Sequence, residues 1–474
     1  MTELRTFVSL ALVSSLLSGC AVGPDYKRPL VSTPEQIRGQ VASSEAGSLA
    51  DQAWWQIFRD DALRSLVGEA LRNGYDVRLA AWRVEEARAN AGIARSQFFP
   101  QVQVEGQWFR TRPSPGSGFT PTPVNLYDVN LGLSWEIDLW GRIRRLNEAA
   151  LAQYLATEEA RRGVLLSLAS EVATSYFQLR TLDLELEIAR RTTGAFQETY
   201  DLFSRRLAGG TASALETSSA EASLASTAAS IPNLERQIVA QENQLAFLLG
   251  RNPGSIPRGA ALNDQFLPPE IPAGLPSDLL ERRPDLRQAE QELVAANADV
   301  GVAVANFFPA ISLTGAFGGV APQVSDLFSK GRTWSVGGEL LSPVFQGRRL
   351  KNQHRAALAR WEQARVGFEQ SVTNAFTEVS TALVAYQKLA EVEKRQAQAV
   401  DAYKEAVRLS SQRYLAGLSD YLEVLQAQQL LFPAENSLAQ TRFSRLASLV
   451  QLYKALGGGW KLTDQEWSGP ETNG

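Results

Sequence analysis

Residues 126–140, LYDVNLGLSWEIDLW, alternate between apolar and polar side chains over almost their whole length. Successive side chains of a β-strand point to opposite faces, so the alternation predicts a strand with one oily and one polar face. The apolar positions are Tyr127, Val129, Leu131, Leu133, Trp135, Ile137 and Leu139. The polar positions are Asp128, Asn130, Gly132, Ser134, Glu136 and Asp138. A sheet of such strands needs a nonpolar environment on one face and water on the other.

The composition excludes several function classes. Of 474 residues, 44% are hydrophobic and 21% charged, with a formal net charge of -4, whereas nucleic-acid-binding proteins carry clustered positive charge. One His (His354) and one Cys (Cys20) exclude a His/Cys metal site and a Cys-His nucleophile pair. The sequence contains no phosphate-binding Gly-rich loop and no nucleophile elbow, and acid pairs such as Glu85-Glu86 suit solvated helix faces. We therefore expect no enzyme, no metal site, no soluble cofactor and no nucleic-acid partner.

The amino terminus predicts export and lipid attachment. An apolar run over residues 7–17 follows an arginine and is too short to span a membrane, which indicates a signal peptide over residues 1–19. LSGC at 17–20 resembles the bacterial lipobox, where cleavage before the cysteine exposes a thiol and an amine for acylation. Ala21 replaces the aspartate common in inner-membrane lipoproteins, so we expect S-diacylglycerol and N-palmitoyl on Cys20 at the outer membrane. The alternative is an ordinary secretory signal with an incidental cysteine.

Segments from the first half of the chain also resemble segments from the second half. Three pairs of segments match at shifts of 209, 206 and 208 residues: 94–107 with 303–316, 139–154 with 345–361, and 204–216 with 411–425. Gly141 falls opposite Gly347, and Gly209 falls opposite Gly417. Near-constant shifts at three places predict an internal duplication.

Each copy is predicted to run helix, strand, loop, strand, very long helix, tight turn, helix. Residues 142–207 and 348–414 lack proline and repeat apolar residues every three or four positions, which favours helices of roughly 100 Å. Gly209 and Gly417 offer the left-handed backbone of a tight reversal. The alternative is a soluble coiled coil of two unrelated helices. The predicted organisation begins with a lipidated segment (20–61) and repeat 1 (62–250), which contains a helix at 62–97, a hairpin at 101–139 and helices at 142–207 and 213–249. A Pro-rich linker (251–284) leads to repeat 2 (285–458), which contains a hairpin at 310–344 and helices at 348–414 and 420–456. A flexible tail is predicted over residues 459–474.

Four strands per chain have the length to cross an outer membrane but cannot close a barrel. Each backbone group left unpaired in lipid costs several kcal/mol, so several chains must pool their strands. A dimer gives eight strands around a bore filled by side chains, whereas a trimer gives twelve and room for water. A soluble four-stranded sandwich is the alternative. Five acids suit a wet lumen: Glu105, Asp128, Glu136, Asp138 and Glu339.

The chain resembles the outer-membrane factor family of TolC-like channels, and within it the lipoprotein branch that serves resistance-nodulation-division (RND) efflux pumps. The similarity covers nearly the whole mature chain, and GLPSDLLERRPDLRQAE is its most specific part. The matching segments are 17–29, 54–71, 98–100, 137–145, 231–250, 274–290, 306–315 and 413–428. The resemblance implies a mixed α and β fold: a homotrimeric 12-stranded outer-membrane β-barrel, continued by a twelve-helix periplasmic barrel. It also implies an equatorial belt that includes residues 251–285 and the amino-terminal segment after Cys20.

The resemblance also implies the function. Channels of this branch are outer-membrane exit ducts that carry drugs and toxic small molecules from a periplasmic adaptor and an inner-membrane RND transporter to the exterior. Metal-ion efflux channels share the motifs, and a type I protein-secretion duct has the same fold, so both stay open. A third alternative is a lipid-anchored periplasmic scaffold. A basic cluster at the start of the second long helix suits lipid head groups or plain solvent: Arg348, Arg349, Lys351, His354 and Arg355.

Similarity places the closed periplasmic tip at the two tight turns. Adaptor contacts are expected at Arg205, Ala208, Gly209, Gly210, Thr211, Ala416, Gly417, Leu418 and Ser419. The gate is expected at Arg413, Tyr414, Asp420, Leu422 and Glu423. Many relatives have Asp-Ala-Gln-Arg where this chain has QAQQ at 426–429, so a charged lock at Gln426 and Gln429 is absent. Either Leu422 packing or an Arg413–Asp420 pair would then close the tip, and Pro433 predicts a helix kink.

Overall fold

The structure is a computed structural model that describes residues 21–40, 48–112, 114, 122–269, 271, 276–463 and 466–468. The predicted signal peptide and Cys20 lie outside the described residues. The described residues form two compact units. We call residues 21–30, 83–158 and 288–369 the sheet unit, and residues 31–82, 159–287 and 370–468 the helix unit.

From α2 onward, the main elements of the described chain follow one order twice. They are α1 (Asp61–Asn73), α2 (Tyr75–Ser96), β1 (Gln101–Thr111), β2 (Val124–Ile137), α3 (Arg142–Ala208), α4 (Ala214–Leu248), α5 (Pro284–Ala305), β3 (Ala310–Ala321), β4 (Arg332–Leu341), α6 (Arg349–Leu415) and α7 (Tyr421–Ala455). Short helical turns lie at Leu49–Asp51, Trp54–Ile57, Leu262–Asp264, Pro276–Asp278, Leu279–Arg282, Val324–Asp326 and Glu466–Ser468. Among the helices that the structure describes, none combines the length and the apolar composition that crossing a membrane requires.

Corresponding helices in the two halves have equal lengths. α2 and α5 each have 22 residues, α3 and α6 each have 67, and α4 and α7 each have 35. The shift between starting residues is 209 from Tyr75 to Pro284, and 207 from Arg142 to Arg349. These two shifts give each residue of α2, α3 and α4 its counterpart in α5, α6 and α7.

The single helix predicted over residues 62–97 is wrong, because the chain breaks at Gly74. Gly74 has φ −55° and ψ 137°, outside the helical region, and its N–H donates to the Ala70 carbonyl to end α1. A Cβ at this position would lie 2.5 Å from the same carbonyl oxygen, so the turn has room for glycine alone.

The sheet unit contains one antiparallel sheet in the order β1-β2-β3-β4. The register places Gln107 opposite Asp128, and Glu136 opposite Ser312, which in turn lies opposite Glu339. Residues opposite one another share a face, so one face of the sheet carries the four carboxylates Glu105, Asp128, Glu136 and Glu339. The other face is apolar and exposed, as at Val104 (72% exposed) and Val336 (80% exposed).

Asp138 does not belong to that polar face, contrary to the sequence prediction. β2 ends at Ile137, and the Asp138 carboxylate accepts hydrogen bonds from the N–H groups of Ile143 (2.8 Å) and Arg144 (2.9 Å) at the start of α3. An acid at a helix N-terminus satisfies free N–H groups and favours the helix dipole. The Glu136 carboxylate binds Arg142 with two hydrogen bonds of 2.8 and 2.7 Å, so its charge is partly neutralised.

The core of the helix unit surrounds a buried carboxylate, Asp60, at the start of α1. It accepts hydrogen bonds from the N–H groups of Ala62 and Leu63, the Tyr176 hydroxyl (2.9 Å) and the Gln265 amide (2.8 Å). A buried charge without such partners would destabilise the fold. Burial raises the pKa of the Tyr176 hydroxyl, so it stays a hydrogen-bond donor to Asp60. Asp60 thereby ties α1, α3 and the linker together.

The flexible tail predicted from residue 459 is wrong for the part that the structure describes. Trp467 is 5% exposed, and its carbonyl accepts a hydrogen bond of 3.2 Å from the indole of Trp54. The Arg282 guanidinium lies 5.3 Å from the ring centroid of Trp460, a cation–π distance. Tryptophan burial attaches this segment to the core, whereas residues 469–474 lie outside the described residues.

Candidate functional site at the helical turns

Two turns of the helix unit, α3 to α4 and α6 to α7, have the same hydrogen-bond geometry. In the first, the N–H of Thr211 donates to the Arg206 carbonyl at 2.8 Å and the N–H of Gly210 to Leu207 at 3.0 Å. In the second, Leu418 donates to Arg413 at 2.9 Å and Gly417 to Tyr414 at 3.0 Å. This is the Schellman arrangement, which needs a left-handed residue just after the helix.

The left-handed residue of the first turn is Gly210 and not Gly209, so that prediction is wrong. Gly210 has φ 72° and Gly417 has φ 70°. α3 runs through Ala208, one residue beyond its predicted end, and this moves the turn along the chain. The matched glycines are therefore 207 residues apart, the shift that relates the helices.

The residues predicted to contact an adaptor lie on the surface of these turns. Arg205, Ala208, Gly209, Gly210 and Thr211 are exposed, as are Ala416, Gly417 and Leu418, whereas Ser419 is half-buried. Leu415 (74% exposed) and Leu418 (70% exposed) add apolar surface to the second turn. The two turns thus expose glycines and apolar side chains at the surface.

An aromatic cluster joins the two turns. Phe203 of α3 contacts Tyr421 of α7 with ring centroids 4.4 Å apart, and Tyr414 of α6 lies 5.5 Å from Tyr421. Phe203 is 1% exposed and Tyr421 is 5% exposed. Burial raises the pKa of the Tyr421 hydroxyl, so the ring stays neutral. Phe203 and Tyr421 were missed from the sequence, since nothing local indicates that residues 218 apart along the chain meet.

Arg206 fixes Tyr414, the predicted gate residue. Its guanidinium donates a hydrogen bond to the Tyr414 hydroxyl and lies 5.3 Å from the Tyr414 ring centroid. Hydrogen bonding and cation–π attraction act on the same pair. The arginine belongs to the first turn and the tyrosine to the second, so the contact fastens one turn to the other. Sequence reasoning missed Arg206.

At the second turn, the ion pair differs from the predicted Arg413–Asp420 pair. Arg413 Nε lies 3.5 Å from Glu423 Oε2, with the two side chains 56% and 51% exposed, so this ion pair is weak. Asp420 occupies the N-cap position of α7 and makes no capping hydrogen bond with its side chain. Within one chain, the partner of Arg413 is therefore Glu423 and not Asp420.

Leu422 and the two glutamines border an open groove between α4 and α7. The groove has a volume of about 700 Å³ and is also lined by Phe196, Phe432 and small residues of α4. Leu422 is 59% exposed, and the Gln429 amide donates a hydrogen bond of 3.3 Å to Ser223. Amides here make neutral hydrogen bonds, which are weaker than charge-assisted ones. In the single chain Leu422 thus has exposed surface to pack against another element.

Glu435 of α7 links three helices. It is 8% exposed, and its oxygens lie 2.6 Å from Arg191 of α3 and 3.5 Å from Lys404 of α6. α7 continues as a helix on both sides of Pro433, and the predicted kink stays a prediction. A buried carboxylate held by two cations fixes the position of α7 against α3 and α6.

In the sheet unit, residues 21–30, which we call the strap, cross α3 and α5. The Val22 N–H donates a hydrogen bond of 3.0 Å to the Trp140 carbonyl, and Asp25 lies 2.7 Å from Arg145 of α3. Tyr26 donates a hydrogen bond of 3.0 Å to Glu290 of α5. The predicted lipidation residue Cys20 lies outside the described residues, two positions before Val22.

The strap approaches α5 at a pair of glycines. A Cβ on Gly23, whose φ is 97°, would lie 2.5 Å from the Cα of Gly301. On the helix side, a Cβ on Gly301 would lie 2.8 Å from Cγ of Arg145. Glycine at both positions lets strap, α5 and the Arg145 side chain stack directly upon one another. Among the described residues there is no group of three or more His, Cys, Asp or Glu side chains that could hold a metal ion.

Comparisons with known proteins agree with this fold. The family model for "Outer membrane efflux protein" matches residues 66–251 and again residues 275–458. The "Probable efflux pump outer membrane protein TtgC" of Pseudomonas putida is 36% identical over 465 residues, covering 96% of each chain. The "Cation efflux system protein CusC" of Escherichia coli is 34% identical over 459 residues, covering 95% of this chain and 98% of that one.

A solved structure is similar over the same extent. The open state of the Neisseria gonorrhoeae MtrE outer membrane channel superposes with a TM-score of 0.83 at 32% identity, covering 93% of this chain and 99% of that chain. The chain belongs to the outer membrane efflux protein family. The predicted resemblance and the predicted function as an outer-membrane efflux channel are thereby confirmed. The family is one of transport ducts, in agreement with the expectation that the chain is not an enzyme.

Proposed function

We propose that three copies of this chain form the outer-membrane exit duct of a tripartite efflux system for drugs and toxic small molecules. The observation that supports this most is the sheet, in which β1 pairs with β2 alone and β4 with β3 alone among the described residues. Open edges beside an apolar outer face are costly in lipid. Pairing the β4 edge of each copy with the β1 edge of the next closes twelve strands around water.

In this proposal the chain arose by internal duplication. Equal helix lengths in the two halves and the two matches of the family model support it. α3 and α6 would continue the barrel as a periplasmic helical barrel, with four helices from each copy. The polar face of the sheet would line the bore.

The turns would form the periplasmic gate and the contact with a periplasmic adaptor, which connects the duct to an inner-membrane RND transporter. Exposed Leu422 supports closure by packing against its copies, because 59% of the side chain is exposed in one chain. Exposed glycines and Leu418 support adaptor binding at the turns. Gating and adaptor contacts would therefore use neighbouring parts of the same two turns.

A lipid anchor on Cys20 would hold the duct in the outer membrane, as S-diacylglycerol on sulfur and palmitate on nitrogen. The strap supports this, since its first residues lie beside Trp140, three residues after the end of β2, where a sheet in lipid meets the periplasm. The exposed basic residues Arg348, Arg349, Lys351 and Arg355, together with half-buried His354, would face lipid head groups at the same level.

The relatives indicate two cargo classes. TtgC of Pseudomonas putida is described as a probable efflux pump component, and CusC of Escherichia coli as part of a cation efflux system, at nearly equal identity. We propose organic toxicants for this chain, and metal cations are the second candidate. A protein-secretion duct of the same fold is the remaining alternative.

The test is deletion followed by complementation in a strain that lacks redundant channels. We expect greater sensitivity to hydrophobic antibiotics and solvents, restored by the intact gene. Sensitivity to copper or silver alone would favour cation efflux, and unchanged sensitivity to both would favour secretion. The purified protein in detergent should have three times the mass of one chain, and a stable monomer would contradict the duct.

A further inference from the structure

Two arginines lie on the apolar face of the sheet, near its hairpin loops. Side chains alternate along a strand, so Arg110 of β1 shares the face of Val104 and Trp108. By the same alternation, Arg332 of β4 shares the face of Trp334. Each of the two open edge strands therefore places one cation on the surface that the proposed duct turns toward lipid.

The strand register shows that both arginines belong to one face. Arg332 lies opposite Gly319 of β3, and Gly319 lies opposite Val129 of β2. Val129 lies opposite Gly106, four residues before Arg110 and on the same side of β1. The four carboxylates of the sheet are all on the other face, so within the described strands the apolar face carries positive charge alone.

Each arginine lies two residues nearer to a hairpin loop than an exposed tryptophan of the same face. Trp108 is 61% exposed and Trp334 is 73% exposed. Two residues of a strand span about 6–7 Å. Tryptophan rings concentrate where the acyl chains of a membrane meet its head groups. The tryptophans of the proposed duct would therefore set Arg110 and Arg332 at the level of the head groups on the loop side.

The hairpin loops add further cations and almost no acid. Residues 110–125 contain two arginines and no acidic residue. Residues 322–332 contain Lys330 and Arg332 against one acid, Asp326, whose carboxylate lies 3.5 Å from the Lys330 ammonium. Four cations against one carboxylate make this end of the sheet attractive to anions.

The two guanidinium groups have donors available for a ligand. Arg332 is exposed and donates one hydrogen bond of 3.3 Å, to the Phe328 carbonyl. Within the described ranges, Arg110 is exposed and makes neither an ion pair nor a hydrogen bond. A guanidinium carries five N–H donors in a planar fork that fits two oxygens of one phosphate. Phosphate is thus the anion that these side chains suit.

We infer that the loop-side rim of the sheet binds the phosphate groups of lipids in the outer leaflet of the outer membrane, through Arg110 and Arg332. The ligand is a lipid and not a soluble phosphate, because both arginines continue an apolar face whose exposed tryptophans would contact acyl chains. In the proposed barrel the β1 and β4 edges meet, so both arginines face the same lipid layer. The inference rests on the proposed outer-membrane duct and adds a lipid site to it.

The first test measures lipid binding to the purified full-length protein in an uncharged detergent. The probe is lipid A, a glycolipid with two phosphates, and native mass spectrometry counts the lipid molecules bound to each complex. The protein should bind lipid A roughly ten times more tightly than the same lipid without its phosphates. Equal affinity for the two lipids would overturn phosphate recognition, and this comparison needs no variant.

A pair of substitutions assigns the binding to the rim. Arg110→Gln with Arg332→Gln should weaken lipid A binding about 25-fold, since each basic residue beside an anionic lipid contributes about fivefold. The matched control, Lys394→Gln with Arg395→Gln, removes two exposed cations of α6 in the helix unit and should leave the affinity unchanged. Equal losses in the two pairs would show unspecific attraction between charges and would overturn the rim site.

Two further measurements separate charge from structure and lipid from soluble phosphate. Arg110→Lys with Arg332→Lys keeps both charges and should bind lipid A roughly threefold more tightly than the glutamine pair. An equal loss in both pairs would mean that the substitutions act through the sheet and not through charge. Inorganic phosphate in large excess should not displace lipid A, and displacement would overturn a lipid site.

The mass of the complex distinguishes this inference from the proposed function. An intact trimer whose lipid A binding is unaffected by the glutamine pair would overturn the rim site and leave the duct standing. A monomer by mass would instead overturn the proposed assembly.

Discussion

Arg348 has, directly before α6, the left-handed backbone that Gly141 has directly before α3, with φ values of 67° and 77°. The two residues are 207 apart, so they are counterparts, whereas the sequence comparison paired Gly141 with Gly347. A residue with a Cβ in this conformation costs roughly 1–2 kcal/mol. Arg348 therefore stores strain at the joint between β4 and the long helix.

The two joints should respond oppositely to substitution. Gly141→Ala should lower the free energy of unfolding by roughly 1–3 kcal/mol, because a Cβ there would lie 2.6 Å from Cα of Ala21 in the strap. Arg348→Gly should change it by less than about 1 kcal/mol, since relief of strain offsets the added freedom of the unfolded chain. Thermal unfolding in detergent measures both, and equal losses would contradict the difference between the joints.

A larger side chain at position 301 should release the strap from its contacts with α3 and α5. Gly301→Val displaces the Arg145 side chain, which binds Asp25 at 2.7 Å, so trypsin should cut after Lys27 at least ten times faster. Gly194→Val is the matched control, because a Cβ at this helical glycine meets nothing within 4 Å. Equal cleavage rates in the two variants would show that Gly301 does not seat the strap.

Arg206 should stabilise the closed tip. Arg206→Ala removes the hydrogen bond and the cation–π contact to Tyr414, and we expect channels in planar bilayers to open more often. Arg205→Ala changes an exposed neighbour and should leave conductance unaltered. Tyr414→Phe, which keeps the ring and loses the hydroxyl, should fall between them. Identical traces for Arg206→Ala and wild type would remove this pair from the gate.

Leu422 should close the tip by packing. Leu422→Ser should increase ion conductance, because a small polar side chain cannot exclude water where three copies meet. Leu430→Ser, at another exposed leucine of the same helix (52% exposed), is the control and should behave as wild type. An increase in both variants would indicate a general weakening of α7 and not a gate at Leu422.

Glu435 should contribute to stability far more than an exposed acid. Glu435→Gln should lower the free energy of unfolding by roughly 1–3 kcal/mol, less than a fully buried pair because Arg191 and Lys404 are about half exposed. Glu405→Gln removes an exposed partner of Arg408 and should have no measurable effect. Chemical denaturation measures the free energy of unfolding of both variants. An unchanged free energy of unfolding in Glu435→Gln would mean that α7 is positioned by packing alone.

Local chemistry explains which elements were predictable. The long helices begin at Arg142 and Arg349, within one residue of their predicted starts, because glycine before each helix and the lack of proline within it are visible in the sequence. The strands were predictable from the alternation of apolar and polar side chains. At Asp138 the alternation continues past the end of β2, and only the capping hydrogen bonds show that the strand has ended.

Contacts between distant residues were not predictable. Phe203 with Tyr421, Arg206 with Tyr414, and Gly23 with Gly301 each join segments more than 200 residues apart. A single sequence contains no signal for such pairs. Gly209 and Gly210 were equally good candidates for the first turn, and the choice depends on a helix end that sequence fixes only to within a few residues.

Matching helix lengths restrict how this architecture can change during evolution. Phe203 reaches Tyr421 only because the first turn lies level with the second, after helices of 67 residues each. Seven residues inserted into α3 alone would carry Phe203 about 10 Å past its partners. A longer duct therefore requires concerted insertions in α3, α4, α6 and α7, and a lone length variant should be rare among viable descendants.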